Sequence, residues 1–153
     1  MALTQLPPDF KEFLRLLNSH QVRYLLVGGY AVNLHGYSRY TGDMDIWVEI
    51  DPENARKVCA ALRDFGFGES SGADQQVFLN ERALVQMGVP PNRIDILTTI
   101  SGVIFSDCYP SRLAFDVDGI PVCLIDLDHL MTNKRATGRL KDLADVENFE
   151  QQL

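Results

Sequence analysis

The sequence is poor in cysteine and in positive charge, and it has no long apolar run. Its three cysteines, Cys59, Cys108 and Cys123, are far apart and form no CxxC pair, which argues against a zinc site of the usual ligand spacing. An odd number of scattered cysteines suits free thiols in a reducing compartment, so the expected location is the cytoplasm. Nothing approaches the roughly 20 apolar residues of a membrane helix, so no membrane association is expected. The opening MALTQLPPDF lacks the charged-then-apolar pattern of an export signal. There are 14 Lys and Arg against 21 Asp and Glu, a formal charge of −7. Such a chain repels a phosphate backbone over most of its surface, which disfavours a nucleic-acid scaffold. A nucleotide site needs only a local basic patch and is left open.

What is present is an ordinary globular balance, 46% hydrophobic and 23% charged over 153 residues, enough for one domain without staples. No repeat, linker or low-complexity tract interrupts it, so residues 1–153 are expected to form a single domain, with C-terminal helices from about 126. Phe10, Phe13, Leu14 and Leu17 form the i, i+3, i+4, i+7 stripe of an amphipathic helix. Val22 to Val27 reads as a buried strand, broken by Gly28-Gly29, and Tyr30 to His35 as a short helix closed by Gly36. Met44 to Ile50 alternates strictly: Met44, Ile46, Val48 and Ile50 on one face, Asp43, Asp45, Trp47 and Glu49 on the other. Asp51-Pro52 then supplies an N-cap and a first-turn proline for a helix carrying Ala55, Val58, Cys59 and Leu62.

Further on, Gln76 to Leu79 and Ala83 to Met87 read as two strands, Pro90-Pro91-Asn92 as a turn, and Arg93 to Thr98 as a strand. Asp118-Gly119 is a strong hairpin signal between Arg112–Val117 and Ile120–Ile125. Asp126 is placed to cap a helix with Leu127, Leu130 and Met131. A last helix, from about Arg139 to Phe149, is expected to turn Leu140, Leu143 and Val146 inward. Helices interleaved with a mixed sheet make this an α/β (α+β) domain.

Chemistry concentrates at Asp43 and Asp45. At i and i+2 on a strand their side chains share a face, with Cα atoms about 6.5–7 Å apart, so both can reach hard cations such as Mg²⁺, which prefer oxygen ligands. Strands disfavour Asp, so two of them at the head of an apolar strand call for a reason, although a bare DxD also occurs on solvated faces. Gly28-Gly29 stands upstream at a strand-to-helix turn, where the absence of side chains lets a phosphate approach the backbone. Asp95 is a third carboxylate, set between Ile94 and Ile96; an exposed strand face explains it equally well when it is taken alone.

Together these elements resemble a family. The stretch LLVGGYAVNLHGYSRYTGDMDIWV, followed by RIDIL, is similar to the core of the polymerase-beta-like nucleotidyltransferases. In that core an apolar residue and Gly-Gly or Gly-Ser precede Asp-x-Asp by about a dozen residues, and a later strand supplies a third Asp. Arg39-Tyr40-Thr41-Gly42-Asp43-Met44-Asp45 resembles the Arg-x-Thr-x-Asp-x-Asp form of small bacterial members, among them minimal, toxin–antitoxin and antibiotic-modifying nucleotidyltransferases. LMTNKRATGRLKDLADVENF resembles their C-terminal helical segment. The likeness spans roughly residues 10–145.

The resemblance implies a nucleotidyltransferase fold, a mixed β-sheet flanked by helices. It implies a two-metal reaction with Mg²⁺ in which a nucleoside triphosphate such as ATP gives its monophosphate to a hydroxyl or amine acceptor and pyrophosphate leaves. Asp43, Asp45 and Asp95 would be the catalytic, metal-holding residues, with Asp95 also taking the acceptor's proton. Gly28 and Gly29 would cradle the triphosphate. Arg39 and Thr41 would contact phosphate, unless they only solvate and shape their loop. Lys134 would face the triphosphate, unless it is a surface lysine. Asp142 and Asp145 share a helix face, and Lys141 with Asp145 is an i, i+4 pair that can be plain surface support. Trp47 can stack a base or pack in the core, and His35, near the glycine turn, fits a structural role. The acceptor, protein, RNA or small molecule, is not legible. Two other roles fit the same residues: a non-catalytic or regulatory nucleotide-binding partner in a toxin–antitoxin pair, or an antibiotic-modifying transferase.

Overall fold

The computed structural model describes residues 6–37, 40–67 and 74–152. Helix α1, Pro8–Ser19, buries Phe10, Phe13, Leu14 and Leu17, the stripe the spacing predicts, with prolines at its entry where a missing N–H costs nothing. Strand β1, Tyr24–Val27, is buried at every position. Helix α2, Gly28–Leu34, follows with no intervening loop, because Gly28 is itself its first residue. Strand β2 is Met44–Val48. Helix α3, Pro52–Asp64, is capped by Asp51, whose side chain accepts from the Asn54 N–H.

Strands β3, Leu84–Met87, and β4, Ile94–Leu97, follow, then a short helix α4, Phe105–Cys108. The hairpin of β5, Leu113–Val117, and β6, Ile120–Leu124, turns on Asp118 and Gly119 with φ of 55° and 82°, both positive as a type I′ turn requires. Helix α5, Leu127–Thr137, is capped by Asp126, which accepts from the His129 N–H, and helix α6, Leu140–Gln151, completes the described chain.

The strands form one six-stranded sheet in the order β3-β4-β2-β1-β6-β5. Pairs β1–β6 and β2–β4 are parallel and the others antiparallel, so this is a mixed sheet with helices against it. Strands β2, β1 and β4 lie inside the sheet, so residues of both faces are buried. Ile46, Trp47 and Val48 in succession are inaccessible, so both faces of the strand are covered there. The strand ends at Val48, however, and Ile50, expected on its apolar face, is exposed.

Two expectations need correction. Val77–Leu79 is a turn of 3₁₀ helix, not a strand; Phe78 is buried beneath it, which a single turn achieves without a pairing partner. On α6, Val146 faces inward as expected and Phe149 is buried with it, but Leu140 is 86% exposed and Leu143 also faces solvent. The inward positions between them belong to Asp142 and Asp145, both buried. Hydrophobicity loses to ion pairing there, for the reason given below.

Candidate active-site cleft

The parallel pairing of β2 and β4 sets Asp45 directly opposite Asp95. In-register neighbours on adjacent strands point the same way, so the two carboxylates share one face. Asp43 stands one residue before β2, on the same side as Asp45 by the period of two. The structure therefore brings the three predicted carboxylates together. Asp95, the residue an exposed face would have explained, is only 7% accessible.

Gly28 closes the group from the β1 side. Its φ is +70°, a conformation that side chains rarely adopt, and a Cβ built on it would overlap the Asp45 carboxylate. Glycine is required twice over at this position, for the backbone angle and for the close approach of Asp45. Val27 pairs with Asp45 across the ladder, which is what delivers Gly28 there.

The electrostatics follow from the crowding. Burial, with Asp95 and then Asp43 beside it, pushes the Asp45 carboxyl up to about 7 from an ordinary 3.8, while Lys134 and Lys141 pull it the other way. Tyr30, behind the same group, is pushed up to about 12 by burial and by Tyr40 and Asp43. The raised Asp45 predicts a pH dependence. In the folded protein Asp45 holds its proton where the unfolded chain has lost it, so the native state binds more protons between about pH 4 and 7 and stability falls as pH rises through that window. Asp45→Asn removes the titration, and denaturant unfolding of the metal-free protein across this range is expected to show a shallower decline for Asp45→Asn than for the parent. Equal slopes would place the effect elsewhere.

Arg93, which the residue pattern did not single out as functional, joins the cluster. Its Nε donates to Asp95 Oδ1 at 2.8 Å, and its Nη2 donates to Asp95 Oδ2 at 3.1 Å and to Asp43 Oδ2 at 2.9 Å. The signal was present in RID: Arg93 and Asp95 are i and i+2, hence on one face. Among the described residues, no three His, Cys, Asp or Glu side chains stand as a ready metal cage; Arg93 holds two of these three carboxylates.

The other wall is basic and helical. A cleft of about 760 Å³ runs from Gly28, Gly29, Asp43 and Asp45 to Lys134, Arg139 and Lys141 on α5 and at the start of α6. Lys134 is not a surface lysine: it is 5% exposed, and its Nζ meets Asp142 Oδ1 at 2.9 Å and Asp145 Oδ2 at 3.3 Å. Asp142 is wholly buried. It also accepts from Thr137 Oγ1 at 2.7 Å and Arg139 Nε at 2.8 Å. Burial alone would raise its carboxyl, but these hydrogen bonds and the Lys134 charge hold it down at about 2. Asp145 is thus engaged with Lys134, so a lone surface pair with Lys141 is not its role.

Thr41 lines the cleft, and Arg39 lies outside the described residues. Trp47 is withdrawn from the cleft: its ring packs edge-on against Phe105, centroids 5.1 Å apart, and its Nε1 donates to the Thr98 carbonyl at 3.1 Å. His35 is structural in its contacts, its Nε2 lying 2.7 Å from the Ile125 carbonyl. Cys108 is buried, with its thiol pushed up to about 11 by that burial and by Asp126 and Asp107, an inert rather than reactive setting.

No family model matches the chain, and no curated protein matches its sequence. Among solved structures it is similar to the crystal structure of a "putative nucleotidyltransferase" from Thermotoga maritima, with a TM-score of 0.61, 11% sequence identity and 97% of each chain covered. At that identity the likeness speaks for the backbone alone, and over nearly its whole length the chain has the nucleotidyltransferase fold.

Proposed function

We propose that the chain is a magnesium-dependent nucleotidyltransferase, moving a nucleoside monophosphate from a triphosphate to a hydroxyl or amine acceptor. The observation that carries this reading is the register that sets Asp45 against Asp95: Asp43 and Asp45 line a cleft whose opposite wall holds Lys134, Arg139 and Lys141, with Asp95 directly behind them. An acidic floor facing a basic wall suits a substrate that is itself a cation–polyphosphate pair.

The donor set fits the metal. All ligands would be carboxylate oxygens, which Mg²⁺ prefers, and the crowding that raises Asp45 is relieved by a cation. Asp43, Asp45 and Asp95 would hold two Mg²⁺ ions, which when bound supply charge neutralisation at the attacking and leaving oxygens. The chain's own residues do the rest. Gly28 and Gly29, at the start of α2, present their backbone to the cleft for the triphosphate. Thr41, Arg139 and Lys141, which line the cleft, receive phosphate oxygens, while Lys134, held by Asp142 and Asp145, supports that wall from within. Asp95 accepts the proton of the acceptor hydroxyl as the new bond to the α-phosphorus forms and the bond to pyrophosphate breaks. The cleft volume is in the range of small-molecule sites.

Mg²⁺ and a nucleoside triphosphate together are expected to raise the melting temperature by roughly 5–10 °C at a hundredfold excess over Kd, and each alone by less. No shift with any of the four common triphosphates at millimolar concentration sinks the nucleotide reading. Transfer itself is read by incubating the protein with labelled triphosphates and cell lysate. One observation favours a non-catalytic, partner-type role: Arg93 already neutralises Asp43 and Asp95. Binding without transfer to protein, RNA or small molecules supports that second reading.

A further inference from the structure

We propose that Arg93 is the built-in counter-cation of the carboxylate cluster, and that a divalent cation binds there only by displacing it, so that Arg93 sets the affinity of the site and its preference for doubly charged ions. The inference rests on the nucleotidyltransferase reading for the presence of a divalent cation. Its ground is a competition between two cations for the same carboxylates. Both oxygens of Asp95 and one of Asp43 accept hydrogen bonds from the Arg93 guanidinium at 2.8–3.1 Å, and the same oxygens are the ones a metal would need.

A guanidinium is a planar fork of donors shaped to bridge carboxylates, and it brings one positive charge to the group. Mg²⁺ brings two and takes oxygen directly, so it can displace the fork where a monovalent ion gains little. Arg93 also has somewhere to go. Its side chain is 26% exposed, in contrast to Lys134 across the cleft, which is enclosed. While Arg93 is in place, its positive charge stands where a second cation against Asp95 would sit. Displacement of Arg93 therefore opens Asp43 and Asp95 together to the metal.

The test is metal binding without nucleotide. Mn²⁺ is counted by electron paramagnetic resonance and Mg²⁺ titrated by calorimetry, on the parent and on Arg93→Gln. If the clamp is open about a tenth of the time, removing it tightens binding about tenfold, and that is the expected result. Arg93→Lys, which cannot bridge two carboxylates, is expected between the two, and it serves if Arg93→Gln does not fold. On the parent, the Arg93 Nε–H resonance, identified by its absence in Arg93→Lys, is expected to be protected from exchange without metal and to lose that protection as Mg²⁺ is added. Equal or weaker binding by the variants, or bound Mg²⁺ that leaves the Nε–H unmoved, overturns the inference and leaves the nucleotidyltransferase reading standing. Absence of any binding by parent and variants alike overturns the metal-dependent reading itself, and this inference with it.

Discussion

Asp95→Asn will slow nucleotide transfer by roughly 10²–10⁴-fold, the worth of a general base, while leaving triphosphate binding largely intact. The asymmetry follows from position. Asp43 lines the mouth of the cleft and Asp45 its floor beside Gly28, where the phosphates would lie. Asp95 sits behind them on the neighbouring strand and does not itself line the cleft. Asparagine keeps the volume and removes the charge that a metal ligand and proton acceptor need. Asp43→Asn and Asp45→Asn are expected to weaken binding and transfer together. Label transfer and a binding titration on the same preparations separate the cases, with a thermal melt confirming that Asp95→Asn is folded despite its altered bonds to Arg93. Equal transfer by Asp95→Asn and the parent refutes the assignment of the third carboxylate.

The second large effect concerns folding, at a residue whose sequence context suggests a phosphate contact or a surface lysine. Lys134→Met keeps the length of the side chain and deletes the charge that faces two buried carboxylates, Asp142 at 2.9 Å and Asp145 at 3.3 Å. Removing one partner of a buried ion pair leaves uncompensated charge and costs about 3–5 kcal/mol, which for a chain of this size lowers the melting temperature by roughly 10 °C. Arg139 remains on Asp142 and softens the loss there, but it is the more exposed of the two cations. The double variant Lys134→Met with Asp145→Asn should recover part of the stability, because it removes one of the two carboxylates that faced the lysine. A melting temperature within a degree or two of the parent would show that Lys134 serves the cleft and not the fold. The same network explains why α6 turns aspartates inward: three donors from α5 and the α5–α6 turn hold Asp142 more strongly than burial of Leu140 would repay.

Local rules carried far in this chain. The stripe of α1, the Asp51 and Asp126 caps, the Asp118-Gly119 hairpin and the strands around Asp45 and Asp95 are all set by residues within a few positions of one another, so period, capping and turn chemistry predict them. The order of Gly28-Gly29, Asp43, Asp45 and Asp95 also marked a shared site through resemblance, since the spacing of a motif survives in the sequence.

Other features belong to the tertiary structure, for a definite reason in each case. That Asp45 opposes Asp95 depends on strand order and register between segments some fifty residues apart in sequence, and no local preference encodes a register. The Arg93 clamp onto Asp43 spans the same separation. Gln76–Leu79 looks like strand because Val, Phe and Leu suit one, but the sheet edge is taken by Leu84–Met87, and the segment settles for a single turn over Phe78. Leu140 and Leu143 follow the helical period and still face solvent, because the position of Lys134 on the preceding helix decides which side of α6 is inside. Charge pairing across elements is a property of the packed chain: the sequence determines which residues can ionise and which segments curl or extend, and the fold alone decides which charges meet.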